Sequence, residues 1–200
     1  MSKVISFSSG KGGVGKTSLV ANLGLLCARE GNRTLLVDGD WNLGKLGITL
    51  GVRARWTVDH VLRGEAAVGD ACVPVRENLS LLCAPSGMVG FEELIETQRN
   101  QLYFELDRLA EDFDTVFFDH ASGIHPSVLQ FAAASHQQVI VTTAEPTSYT
   151  DAYAIMKLLT KRFGIREFGL IVTGTEDPRE SERVIVRFCD VARCQLGVRP

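Results

Sequence analysis

The chain has 200 residues, 45% hydrophobic and 22% charged, ordinary globular usage with enough apolar material to bury a core in one α/β domain spanning residues 1–200. Its 21 basic and 24 acidic residues leave a formal net charge of −3, which gives no support to bulk electrostatic binding to DNA or to an anionic membrane. Cys27, Cys72, Cys83, Cys189 and Cys194 contain no C-x-x-C pair; scattered thiols, mostly in apolar surroundings as buried free cysteines are, fit a reducing cytosol.

The first strand is read at residues 4–7, so close to the start that no leader is expected. No apolar run approaches the roughly 20 residues that cross a bilayer, and the reading is a cytoplasmic protein. Further strand-length apolar runs lie at 34–37, 79–83, 115–118, 139–143 and 169–172. Several are nearly continuous Val, Ile, Leu and Phe, the pattern of parallel strands covered on both faces. Helical periodicity falls at 17–29, 91–113, 127–134, 148–163 and 179–193, and Thr57 can cap a short helix ending near Gly64. Strand–helix alternation predicts a doubly wound, mostly parallel sheet with helices on both faces. Ligands of such sheets bind at the carboxyl ends of the strands.

A glycine-rich segment follows the first strand. Gly10, Lys11, Gly12, Gly13, Val14, Gly15, Lys16 and Thr17 fit the phosphate-loop pattern G-x-x-x-x-G-K-[ST], between a predicted strand and a predicted helix. Glycines allow positive φ angles that turn backbone N–H groups inward around phosphate oxygens, and the helix aims its positive end at the same anion. Lys16 supplies a charge to the β- and γ-phosphates. The Thr17 hydroxyl is a hard oxygen ligand for Mg²⁺. Residues Gly10 to Ser18 are therefore expected to hold a nucleoside triphosphate with Mg²⁺.

The second strand ends in Asp38-Gly-Asp40, two carboxylates at the ligand edge that need a cation if they are buried. The strand at 115–118 ends in Asp119. The four histidines share no metal-ligand spacing with each other or with a cysteine pair. His120 flanks a carboxylate and is read as a partly exposed imidazole. Arg53, Arg55 and Arg63 read as a solvated surface.

The wording of the loop, SSGKGGVGKTSLVANLG, closely resembles the deviant Walker A motif of the ParA/MinD ATPases, within the nitrogenase-iron-protein-like class of P-loop proteins. That resemblance implies that Lys11 reaches across a nucleotide-sandwich homodimer to the partner's phosphates. It also implies that Asp38 and Asp119 hold Mg²⁺ through water, and that Asp40 orients the attacking water. Gly123, in a switch II segment, would bring its N–H toward the γ-phosphate. Glu145-Pro-Thr-Ser-Tyr-Thr-Asp-Ala-Tyr153, with Trp56-Thr-Val-Asp-His-Val-Leu-Arg-Gly64 and Phe118-Asp-His-Ala-Ser-Gly-Ile124, resembles the FlhG/FleN branch. These are MinD relatives that control flagellar number and placement. The resemblance implies partners such as the FlhF GTPase or flagellar switch-complex proteins.

The chain also departs from the family. Asn42-Leu-Gly-Lys-Leu-Gly47 replaces the usual Gly-Leu-x-Asn-x-Asp after the second carboxylate, and His120 and Ser122 replace small residues. Thr173-Gly174 stands where an adenine-reading Asn is usual, so adenine preference rests on the resemblance. The resemblance implies a further strand and an amphipathic membrane-targeting helix after Leu196-Gly-Val-Arg-Pro200, where the sequence stops, which leaves open a shortened homologue or one without the membrane element; the helix at 179–193 is read as packing in the core. Three functions follow for testing: a slow ATPase that dimerises around ATP, a nucleotide-gated scaffold with little hydrolysis, and a partition-type ATPase on DNA, which the acidic net charge disfavours.

Overall fold

A computed structural model of the chain describes residues 2–41, 44–84, 96–198 and 200. Seven strands form one sheet: β1 (Lys3–Ser8), β2 (Thr34–Gly39), β3 (Cys72–Arg76), β4 (Leu79–Leu82), β5 (Thr115–His120), β6 (Gln137–Thr143) and β7 (Gly169–Thr173). Their order is β3-β4-β2-β5-β1-β6-β7. β2 runs parallel to β4, and β6 runs parallel to both β1 and β7; β3 is antiparallel to β4. The helices are α1 (Lys16–Arg29), α2 (Leu46–Leu50), α3 (Val58–Leu62), α4 (Glu96–Ala110), α5 (Pro126–Ala134), α6 (Pro146–Phe163) and α7 (Pro178–Leu196). The doubly wound, mostly parallel architecture expected of the sequence is the one present. No described helix is long and apolar enough to cross a membrane.

Two compact units divide the chain, Met1–Val4 with Thr17–Asp119, and Ile5–Lys16 with His120–Pro200. In the first, every residue of β2 is buried, and α1 lies close over it. A Cβ added at Gly24 would come within 2.7 Å of the Leu36 side chain. α3 packs against α4. Its Thr57 takes the expected N-cap place, and His60 Nδ1 lies 3.2 Å from the Thr57 backbone N–H.

In the second unit, three helices start with proline in the first turn, where a missing N–H costs no hydrogen bond, and α6 and α7 end on left-handed glycines, Gly164 and Gly197. Their apolar faces close a core around Ile140, Ala152, Ile155, Met156, Leu159, Phe188 and Ala192. Phe188 is fully buried, with Tyr149 edge-on at 5.1 Å. Burial of one such ring contributes roughly 1.5–3 kcal/mol. The expectation that α7 packs in the core therefore holds, with Phe188 and Ala192 its buried residues.

Some expectations need correction. α4 ends at Ala110, not 113. Glu111, Asp112 and Phe113 donate to carbonyls three residues back, so a tight turn keeps the helical spacing of apolar residues after the α-helix has stopped. Phe91, Leu94 and Ile95, part of the same expected helix, lie outside the described residues, as do Asn42 and Leu43. β3 was not expected, because Pro74 sits in its middle; it occupies the sheet edge, with a register shift between Pro74 and Arg76, where a missing N–H is tolerated. Of the cysteines only Cys83 is buried, Cys194 is exposed and the others are intermediate.

Candidate nucleotide-binding site

β1 delivers the chain to Ser9, which is fully buried, and the loop turns from there through residues 10–15. Gly13 and Gly15 have φ of 81° and 82°, and a Cβ on either would meet nothing within 4 Å. Glycine is required there by the backbone conformation, and the space beside the loop is open. Gly10 is required for a different reason. A Cβ there would sit 2.3 Å from Asp151 Cβ and 2.6 Å from its carbonyl carbon, so the loop rests directly on α6. Gly10→Ala is expected to destabilise the chain by about 1–3 kcal/mol through overpacking, and the melting temperature to fall by roughly 2–4 °C per kcal/mol for this size.

Lys16 is the first residue of α1 and only 6% exposed; its ammonium donates to the His120 carbonyl oxygen. The first turn of α1 holds no acidic residue, so nothing in that turn neutralises the helix dipole. Three further contacts brace the loop. Gly123 N–H donates to the Ser9 carbonyl at 2.8 Å. Thr173 Oγ1 lies 2.6 Å from the Val14 carbonyl oxygen, which it reaches from the end of β7. Lys11 Nζ is ion-paired with Glu145, the residue that precedes α6.

Asp38, Asp40 and Asp119 belong to the first unit. Asp38, 2% exposed, accepts from the Asp40 N–H at 3.2 Å through Oδ1 and from the Leu46 N–H at 2.9 Å through Oδ2. It thereby caps α2 from eight residues upstream. Burial pushes the Asp38 carboxyl up to about 6; the two N–H bonds pull against that shift, and the charges of Asp119 and Asp40 add to it. Asp119, one residue before the end of β5, is equally buried. Asp40, less buried, lies 3.9 Å from Lys45 Nζ. Trp41 follows, 6% exposed and edge-on to Phe118 at 6.4 Å.

Asp38, Asp40 and Asp119 offer hard oxygen donors whose negative charges act against one another, the chemistry Mg²⁺ prefers. Among the described residues no three His, Cys, Asp or Glu side chains converge on one metal position. The donor set fits a Mg²⁺ ion that shares its shell with phosphate oxygens and water, as that ion usually does.

His120 corrects an expectation. It is 1% exposed rather than partly exposed, lies 6.5 Å from the Phe131 ring, and its pKa falls to about 3, through burial first and the Lys16 charge second. An unfolded imidazole titrates near 6.5, so below that pH the unfolded chain takes up a proton that the folded one refuses. The stability contributed by neutral His120 is complete above about 6.5 and drains away toward pH 3, at up to about 1.4 kcal/mol per pH unit. Asp38 runs the other way, gaining as pH falls from about 6 toward about 4. Urea unfolding across pH 4–7 is expected to show a flatter acid slope for His120→Gln than for the parent.

A phosphate loop opening a helix, with buried carboxylates at the ends of adjacent strands β2 and β5, defines a P-loop nucleotide-binding protein. A family described as an AAA domain matches residues 2–162. Antiactivator FleN of Pseudomonas aeruginosa is 33% identical over 205 residues, covering 99% of this chain and 73% of that protein. Flagellum site-determining protein YlxH of Helicobacter pylori is 30% identical over 195 residues, covering 98% of this chain and 66% of that protein. The chain therefore spans about three quarters of the first relative's length and just under two thirds of the second's. The septum site-determining protein MinD of Pyrococcus horikoshii, solved in complex with Mg-ADP, superposes with a TM-score of 0.72 at 28% identity, over 92% of this chain and 77% of that one.

The chain belongs to the ParA/MinD family of P-loop ATPases, whose members are generally ATP hydrolases. Within it the likeness is to the FlhG/FleN branch.

Proposed function

We propose that the chain is a MinD-type Mg-ATPase that works as one P-loop domain and switches between monomer and homodimer with ATP, in the control of flagellar number or placement. The observation that carries this reading is the buried Lys16 ammonium at the head of α1, beside a glycine loop open to a ligand. Amides of residues 10–16 and Lys16 would hold the β- and γ-phosphates, with Ser18 in the same turn. Thr17 would bind Mg²⁺ directly, and Asp38 and Asp119 through water; the ion supplies charge neutralisation at the phosphate oxygens. Asp40 would orient the attacking water, Lys11 would spread charge over the phosphoryl group of a second copy, and Gly123 N–H would exchange Ser9 for the γ-phosphate. Flagellar assembly factors, an FlhF-type GTPase or switch-complex proteins, are the partners that the resemblance to the FlhG/FleN branch implies.

One observation favours a second reading, a nucleotide-gated scaffold. Gly123 N–H is engaged by Ser9, and Asp40 is paired with Lys45, so both expected switch groups are occupied by the chain's own atoms. Single-turnover phosphate release separates the two. The ATPase reading expects release by the parent and a loss of about 10²-fold or more in Asp40→Ala, the contribution of a positioned base. No release by the parent, with ATP still bound, selects the scaffold.

A further inference from the structure

Thr173 forms the last pair of the β6–β7 ladder, opposite Thr143, and Gly174, with φ of 72°, turns the chain out of the strand immediately after it. The sheet thereby fixes the Thr173 backbone, and branching at Cβ restricts χ1, so the hydroxyl has a set position. That hydroxyl lies 2.6 Å from the Val14 carbonyl oxygen and 3.2 Å from the Thr142 carbonyl oxygen. It has one proton to donate, and the shorter contact takes it. Val14 is anchored in its own right, being only 5% exposed. A rigid strand end thus holds the Val14 carbonyl toward β7.

The same peptide carries the Gly15 N–H. In a planar trans peptide the N–H points opposite to the C=O, and no described peptide bond is cis. Holding the Val14 oxygen toward β7 therefore turns the Gly15 N–H away from it. That N–H has no hydrogen-bond partner among the described residues, and Gly15 is exposed, with nothing within 4 Å of an added Cβ. An oriented donor beside open space, next to the residue that carries the Lys16 ammonium, suits an anionic oxygen. The bond has a second consequence: its proton is spent on the loop and cannot also be donated to a base. We propose that Thr173 is a positioning residue of the phosphate site, its hydroxyl fixing the Val14–Gly15 peptide so that the Gly15 N–H meets a phosphate oxygen, and that it does not read the base. This inference rests on the phosphate-loop reading above. It departs from the base-reading place that the resemblance gives to this strand end.

Calorimetry on the full chain with Mg-ATP, and with Mg-tripolyphosphate, which has the phosphates and no base, tests this. Thr173→Val replaces the hydroxyl by a methyl and leaves the Val14 oxygen without its donor. Both ligands should then bind about five- to tenfold more weakly, and by the same factor, as loss of one neutral hydrogen bond implies. The Gly15 amide signal of the ligand-free chain should move in the same variant. Thr173→Ser keeps the hydroxyl and should restore both affinities to within about twofold. Thr173→Ala, which sets no methyl against the Val14 oxygen, carries the comparison if Thr173→Val fails to fold. Weakening of ATP alone, with tripolyphosphate unchanged, would put the hydroxyl on the base and overturn the proposal. Parent-like affinity for both ligands would overturn it equally, and loss of folding in both variants would reduce the contact to a stabilising one. A folded parent that binds neither ligand is a different failure, that of the phosphate-loop reading itself.

Discussion

Lys16→Ala is expected to remove nucleotide binding while leaving the fold intact. Lys16 is 6% exposed, its ammonium held at the loop by the His120 carbonyl, so much of its desolvation is met by the fold itself. A phosphate oxygen meeting it gains a preoriented, water-poor charge. Removing one partner of such a buried charged pair costs about 2–5 kcal/mol, roughly thirtyfold to several-thousandfold in Kd. The fold should survive, because the deletion takes away a buried charge together with its contact. The second consequence is specific. Lys16 is the lesser of the two causes that depress His120, after burial. The His120 pKa should therefore rise in Lys16→Ala and still lie below 6.5. Calorimetry with Mg-ATP, with circular dichroism to confirm folding, checks the first effect, and a histidine NMR titration checks the second. Parent-like heat from folded Lys16→Ala would mean that the loop is not the nucleotide site.

The loop and strands were legible in the sequence because each is encoded locally. Gly13 and Gly15 stand where φ is positive, Lys16 and Thr17 stand in fixed register, and β2, β5 and β6 are short continuous apolar runs. The contacts that complete the candidate site were not legible, since each joins residues far apart in the chain. Thr173 reaches Val14 across 159 positions, Lys11 meets Glu145 across 134, and Lys16 meets the backbone of His120 across 104. α2 escaped notice for a related reason. Its leading N–H is received by Asp38 rather than by a side chain at its own N-cap, so no capping signal precedes it. His120 misled because histidine beside a switch segment usually faces water. Here it ends β5, and the strand carries it inward. Gly10 looked like another flexible loop glycine, whereas its cause is the Asp151 backbone pressing against it.

The other large effect is expected from Lys11→Ala, which should spare nucleotide binding and abolish ATP-dependent dimerisation and turnover. Lys11 lies in the loop, but its ammonium turns to Glu145 and the pair is 43% and 61% exposed. An exposed pair of that kind is worth about 0–1 kcal/mol, so the pairing is too weak to hold Lys11 against a polyphosphate. A lysine with no buried post in its own chain adds little to the affinity of a single copy, and Kd should change by about threefold or less in Lys11→Ala. Supplied in trans to a transferring phosphoryl group, a cation contributes about 10³–10⁵ in rate. The asymmetry between these two figures makes the prediction sharp. Size-exclusion chromatography with ATP, ADP and no nucleotide should show an ATP-specific dimer for the parent and none for Lys11→Ala, with phosphate release lost in parallel. Glu145→Gln should move the other way, lowering the ATP concentration at half-dimerisation a few-fold at most, since about 1 kcal/mol or less is released. If Lys11→Ala dimerises with ATP like the parent, Lys11 does not act across the interface, and the pair with Glu145 is only a surface contact.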